Sequence, residues 1–145
     1  MKSIIKFICI LVIVLLMSQA KNSSADFITL EGYWQGAFLS TKGNITYVLN
    51  MYLSSKLKGT YSEATEEGGK FVNLGEGTVT GTITGKTFKF VLKETSPCKA
   101  TLKGTFTVTK TVKGAVVLGK EMKGSYSGNP CGNPFTGKGT IKRTG

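Results

Sequence analysis

A short unit recurs along this chain: glycine, then threonine or serine, then an apolar or aromatic residue. It stands at Gly59-Thr60-Tyr61, Gly77-Thr78-Val79, Gly81-Thr82-Ile83, Gly104-Thr105-Phe106, Gly124-Ser125-Tyr126 and Gly139-Thr140-Ile141. Around each unit the sequence alternates with period two, and no helix-period stripe persists, so the units belong to β-strands. In the stretch 100–109, Ala100, Leu102, Gly104, Phe106 and Val108 share one face, while Thr101, Lys103, Thr105, Thr107 and Thr109 share the other. In 87–93, Phe88, Phe90 and Leu92 oppose Lys89, Val91 and Lys93, and in 135–143 Phe135, Gly137, Gly139 and Ile141 oppose Thr136, Lys138, Thr140 and Lys142. One apolar and one polar face mark an antiparallel sheet buried on one side. The glycine always falls on the apolar phase. An inward glycine lets a strand bend sharply and leaves room for a large neighbour.

Repeated strand after strand, that device suits a small closed barrel. The fold expected is all-β, an antiparallel up-and-down eight-stranded β-barrel, with a β-sandwich as the alternative. The strands are expected at 33–40, 45–54, 57–63, 76–84, 87–93, 100–109, 121–128 and 135–143. The stretch 110–120, with Val116-Val117-Leu118, is compatible with an extension of either neighbouring strand or with a short strand of its own. The longest loop is expected at 64–75, with Glu66-Glu67-Gly68-Gly69 at its tip.

The first twenty residues do not fit this pattern. Met1-Lys2-Ser3-Ile4-Ile5-Lys6 carries two positive charges, an apolar run from Phe7 to Met17 follows, and Ser18-Gln19-Ala20 supplies small residues at minus three and minus one. That arrangement reads as a secretory signal peptide over 1–20, cleaved after Ala20 or Ala25. The run is too short to span a bilayer, which needs about 20 apolar residues, so no transmembrane segment is expected after cleavage. What remains, 26–145, is expected to be one barrel domain, exported to a periplasmic or extracellular space.

Cysteine usage agrees. Cys9 lies within the leader, which leaves Cys98 and Cys131. An even pair in an exported chain reads as a disulfide. With eight alternating strands, Ser96-Pro97-Cys98-Lys99 and Asn129-Pro130-Cys131-Gly132-Asn133-Pro134 connect strands at the same rim, so the bond is geometrically open. An odd miscount between them would put them at opposite ends. The opposite end has tight links at Ser54-Ser55-Lys56 and Gly85-Lys86. One end is thus expected to be a closed base and the other a mouth, and a barrel of this size either fills with side chains or holds one small ligand.

The chemistry is bounded by what is missing. There is no histidine, which removes Ser-His-Asp and Cys-His catalysis, histidine general bases and the usual zinc sites. No enzyme activity, no metal and no cofactor are expected. Glu63, Glu66, Glu67 and Glu76 could supply a carboxylate pair for glycoside chemistry, but Glu66-Glu67 beside two glycines reads as a solvated loop. The charge balance is 19 basic against 8 acidic residues, a formal +11, or +9 (17 against 8) once Lys2 and Lys6 leave with the signal peptide. Arg143 is the only arginine. Base reading and ordered phosphate sites lean on arginine, so this lysine coat argues against nucleic acid. Lys89, Lys93, Lys103, Lys123, Lys138 and Lys142 all fall on the outward phase of four consecutive strands. They form a basic flank suited to solubility and edge protection or to loose contact with an anionic surface.

The opening Leu30-Glu31-Gly32-Tyr33-Trp34-Gln35-Gly36 resembles the strand-one signature of calycin-type barrels, the lipocalin and avidin group, in which a glycine precedes a tryptophan that plugs the base. Gly59-Thr60-Tyr61 resembles avidin's third strand, whose tyrosine faces the ligand. The resemblance rests on these two short stretches and implies eight antiparallel strands with the three–four loop over the ligand. Avidins line their pocket with several tryptophans and this chain has one, Trp34; the architecture carries over and biotin does not. Trp34, Tyr61, Phe88, Phe90, Phe106 and Tyr126, all inward by phase, are the candidate ligand contacts, with core packing as the alternative role for each. The function expected is a non-enzymatic binding barrel for a small, largely apolar ligand at the open rim. The alternative is a protein-binding module, a hydrolase inhibitor or envelope adaptor, acting through the rim loops.

Overall fold

The computed structural model describes residues 27–41, 45–67 and 70–145; the signal peptide expected over 1–20 lies outside them. The described chain forms one sheet of nine strands: β1 (Ile28–Thr29), β2 (Gly32–Ser40), β3 (Thr46–Leu53), β4 (Lys58–Glu67), β5 (Lys70–Thr84), β6 (Thr87–Ser96), β7 (Ala100–Lys113), β8 (Val116–Gly128) and β9 (Phe135–Thr144). Strands β2 to β9 pair antiparallel in chain order, and β9 pairs with both β8 and β2. The sheet therefore closes into the eight-stranded up-and-down barrel, which rules out the sandwich. Closure removes every free edge among these strands.

Alternation along each strand sets the interior. Trp34 and Phe38 of β2, Leu49, Met51 and Leu53 of β3, Phe88, Phe90 and Leu92 of β6, Leu102, Phe106 and Val108 of β7, and Met122 and Tyr126 of β8 all point inward and are buried. Their rings interlock: Phe38 lies 5.0 Å from Tyr126 edge-to-face, and Phe90 lies 4.6 Å from Phe106. The inward glycines make that packing possible. A Cβ on Gly104 would stand 2.2 Å from Phe90 Cζ and 2.7 Å from Tyr126 Cβ; one on Gly124 would stand 2.0 Å from the Thr105 carbonyl oxygen and 2.8 Å from Phe106 Cδ1.

Two strand pairs outrun the barrel. The expected loop at 64–75 is instead a continued hairpin, with β4 and β5 paired out to Glu67 and Lys70. Thr65, Phe71 and Val72 supply enough β-branched and aromatic character to keep the strands paired. Likewise 110–120 extends both β7 and β8, meeting at a turn where Gly114 adopts φ +62°. Each arm leaves the barrel through a bulge, at Glu63/Ala64 and at Thr109/Lys110, and bulges bend a strand and raise its local twist. The arms leave from opposite ends, β4–β5 at the mouth and β7–β8 at the base.

The base is shut by groups from both ends of the described residues. Trp34 is 1% exposed, and its Nε1 donates to the Leu30 carbonyl at 2.8 Å. Arg143, at the end of β9, lays its guanidinium 4.9 Å over the Trp34 ring. The same group donates from Nε to the Gly119 carbonyl at 2.9 Å, from Nη2 to the Thr29 carbonyl at 2.8 Å, and from Nη1 to the Glu31 carbonyl. It thereby pins β1, which runs parallel to β8 through Ile28 and Thr29. A cation over an aromatic face is attractive, and its planar fork satisfies carbonyls that the short β1 leaves open.

At the other end Cys98 and Cys131 are joined, with Cα atoms 5.4 Å apart and 33 residues of separation. The bond ties the β6–β7 connection to the turn Pro130–Gly132 that leads into β9.

Two measurements check this architecture. Closing a loop of this length restricts the unfolded chain by roughly 3–4 kcal/mol in the chain-entropy treatment, so Cys98→Ser should lower the unfolding free energy in denaturant melts by about that amount. An unchanged midpoint would contradict it. Gly104→Val and Gly124→Val should each lose at least about 1–3 kcal/mol through overpacking, whereas Thr105→Val and Ser125→Val, on the outer phase, should stay within about 0.5 kcal/mol. Equal melting temperatures across the four variants would mean that the phase is wrong.

Candidate functional site

The apolar interior does not continue to the mouth. Toward the end at which β4 and β5 connect, the inward phase of β4 reads Tyr61, Glu63, Thr65, and that of β6 ends Leu92, Glu94. The chain thus places two carboxyl groups inside a barrel. Glu63 is 5% exposed and Glu94 is 4% exposed. They sit on the strands flanking β5, and Gly75 of β5 lies between them. A Cβ on Gly75 would stand 2.7 Å from Glu94 Oε2, so the glycine leaves the space that the Glu94 carboxyl fills. The register shifts on both sides of β5, at Glu63/Ala64 and at Glu76/Gly77. Bulges of this kind redirect side chains beside functional sites.

Register gives the layers. Tyr61 faces Met51, Glu63 faces Leu49 and Thr65 faces Tyr47, each step about 6.8 Å nearer the rim. Tyr126 comes across from β8, with Phe135 of β9 at 5.1 Å and Tyr47 against Phe135 at 4.9 Å edge-to-face. Register sets Glu63 one step above Tyr61 and Glu94, yet the two carboxyl groups and the two phenols act on one another's charges and so form one polar layer two steps deep, with Tyr47, Thr65 and Phe135 on its mouth side.

The hydrogen bonding of this layer is incomplete. The Tyr61 hydroxyl, Glu63 Oε1, Glu94 Oε1 and the Tyr126 hydroxyl are buried with no hydrogen-bond partner. Buried polar groups are nearly always paired, and each exception costs about 1–3 kcal/mol. Four so close together, above a floor of apolar side chains, is a concentration that packing alone does not explain. Thr65, by contrast, donates to the Thr46 carbonyl at 3.1 Å, and the Cys98 backbone amide donates to the Glu94 carboxyl. The disulfide-bearing connection thus touches the site directly.

The electrostatics follow from burial. Burial pushes the Glu63 carboxyl up to about 7; the neighbouring Tyr126 hydroxyl pulls it partly back, and the Glu94 charge pushes it up again. Burial also raises Glu94, offset by the Cys98 amide. Burial and the neighbouring carboxylates hold both Tyr61 and Tyr126 well above the ordinary phenol value. Among the described residues no lysine or arginine bears on either carboxyl group, and no cluster of three or more metal-ligating side chains is present.

The residues singled out from sequence divide between two places. Trp34, Phe88, Phe90 and Phe106 lie deep and pack against one another or the base. Tyr61 and Tyr126 belong to the polar layer. Glu76, one of the carboxylates considered for a pair, is exposed on the outer phase, and Glu63 pairs spatially with Glu94 instead. The phase of Phe88, Phe90 and Leu92 pointed to Glu94 as the next inward position, and that was the available signal. Glu66 and Glu67 lie in β4 and not in a loop. Lys89, Lys93, Lys103, Lys123, Lys138 and Lys142 are all exposed. Lys89, Lys93 and Lys103 line a shallow concavity of about 780 Å³ on the outer wall, together with Val91, Thr105 and Ser125 among others.

Compared with protein-family models, with curated proteins and with solved structures, the chain matches none.

The raised Glu63 gives a pH dependence with a definite sign. The unfolded carboxyl titrates at its ordinary value of 4.5 and the folded one near 7, so the folded chain holds this proton more tightly. The stabilising contribution is complete below about 4.5 and is lost as pH rises through 7, amounting to roughly 3 kcal/mol at full effect. Glu63→Gln removes the term. Thermal melts at pH 5 and pH 8 should show the variant gaining on the parent as pH rises. Parallel curves would show that Glu63 is solvated.

Proposed function

We propose that this chain is an exported, non-catalytic binding barrel that takes a small, largely apolar ligand through its open rim. The observation that carries the reading is the set of four buried, unpartnered polar atoms beneath a mouth of aromatic side chains. Small-molecule sites are mostly apolar, with a few polar groups that fix orientation, and Tyr47 and Phe135 above Glu63, Glu94, Tyr61 and Tyr126 have that composition. The aromatic rings deeper in the barrel fill it, so the ligand sits in the upper layers. Export is supported by the amino-terminal pattern over 1–20 and by the disulfide, which persists in oxidising compartments. The closed eight-stranded barrel is consistent with a calycin-like fold, and a lipocalin- or avidin-like relationship is part of this proposal. The lack of histidine removes the histidine-based catalytic arrangements, and the reading takes the barrel to bind without turnover.

A second reading, a protein-binding module acting at the rim, is favoured by Phe71, which is 70% exposed on the projecting β4–β5 arm. Exposed aromatics of this kind anchor protein interfaces. The basic flank supports loose attachment to an anionic surface in either case.

Native mass spectrometry of the protein purified from its own source separates the readings. The proposal expects a small-molecule adduct that is lost on denaturation. A bare chain in every preparation contradicts it, and a co-purifying protein that is lost with Phe71→Ser favours the second reading.

A further inference from the structure

Among the described residues, the layer around Glu63 and Glu94 holds two acidic groups and no counter-ion. A barrel that only needed filling would place apolar side chains there, as it does at every deeper level. Isolated buried carboxylates are costly unless they are paired and hydrogen-bonded. The chain has eighteen lysines and one arginine, yet among the described residues none bears on this pair. Arg143 is committed at the base, and the six lysines of the flank point to solvent. The missing positive charge is therefore not supplied by the described fold.

We propose that the open end of the barrel is a receptor for a protonated organic amine, with Glu63 and Glu94 as its counter-ions and Tyr61 and Tyr126 as its lateral partners. This rests on the reading of the open end as a ligand site, and it names the chemical class of that ligand. An ammonium group is a donor on every N–H, which matches a layer whose unpartnered atoms include two carboxylate oxygens and two phenol oxygens able to accept. Aromatic faces attract a desolvated cation. The aromatic mouth of Tyr47 and Phe135 suits the hydrocarbon body of the molecule, whose amine points inward. A divalent metal fits less well, because it needs more ligating oxygens than two carboxylates provide. An anion is excluded by the local charge.

Because the amine binds ionised carboxyl groups, its affinity depends on their titration. The titratable groups facing Glu63 are Tyr61 on its own strand, Glu94 from β6 and Tyr126 from β8, with Tyr47 from β3 beside Tyr126. Tyr61 and Tyr126 stay neutral through the accessible range, so the two carboxyl groups carry the pH dependence. Affinity should rise as pH passes upward through about 7.

The test compares three probes of nearly equal shape by titration calorimetry at pH 8: phenethylamine, 2-phenylethanol and 3-phenylpropanoate. The expected result is that phenethylamine binds at least about tenfold more tightly than 2-phenylethanol, the increment of a charge-assisted hydrogen bond, that 3-phenylpropanoate does not bind, and that phenethylamine weakens at pH 5. Glu63→Gln and Glu94→Gln should each erase most of the amine preference, in proteins whose melting temperature at pH 8 is not lowered. If 2-phenylethanol binds as tightly as phenethylamine, the amine assignment is overturned and the binding barrel stands. If none of the three binds and none raises the melting temperature, both are overturned.

Discussion

The closure of β9 against both β2 and β8 is the constraint on which the rest of the molecule depends. Once the sheet is a cylinder, every residue on the inward phase competes for a fixed and narrow volume. The inward glycines answer that competition: Gly104 gives way to the Phe90 ring, and Gly124 admits the close approach of the Thr105 carbonyl. Without closure there would be no reason for glycine to recur between large aromatics on one face. With it, small and large residues alternate so that the rings fill the lower barrel. The base is then finished by Trp34 and Arg143, which draw the first and last parts of the described chain together across one ring face.

The same narrowness makes the upper layer informative. In a wide pocket, a pair of carboxyl groups would be hydrated and unremarkable. Here Glu63 and Glu94 are nearly as buried as the aromatic residues below them, separated only by the space above Gly75. Bulges on both edges of β5 turn their strands at this level, and the disulfide-linked connection lends the Cys98 amide to Glu94. Strand irregularity, disulfide and polar layer therefore coincide at one end. The exposed arm of β4 and β5 projects from that same end.

Much of this architecture was legible in period-two alternation. The barrel, the phase of each strand, the inward glycines and the shared rim of Cys98 and Cys131 all follow from which face a residue occupies. The arms were harder to read. The stretch 64–75 is rich in glutamate and glycine, which read as a loop, and only its pairing partner keeps it extended. The short β1 has no periodicity of its own and exists because Arg143 and β8 hold it. Arg143 stood out as the sole arginine, but nothing local announces that it lies over Trp34, more than a hundred residues away. Glu63 was visible on the inward phase, whereas Glu94 was hidden by the polar run Lys93-Glu94-Thr95-Ser96, which reads as the fraying end of a strand. A pairing between distant strands is what brings the two together.

The central claim is that those two carboxyl groups are buried in the free protein with no cation of the described residues against them. Carbon-detected NMR titration of the Glu63 and Glu94 side-chain carboxyls measures this residue by residue, without a variant or a ligand. The account predicts that Glu63 titrates near 7 and that Glu94 also lies above the ordinary carboxylate value. Both groups titrating together at that ordinary value would mean a solvated, open rim, and the case for a built site inside the barrel would be lost.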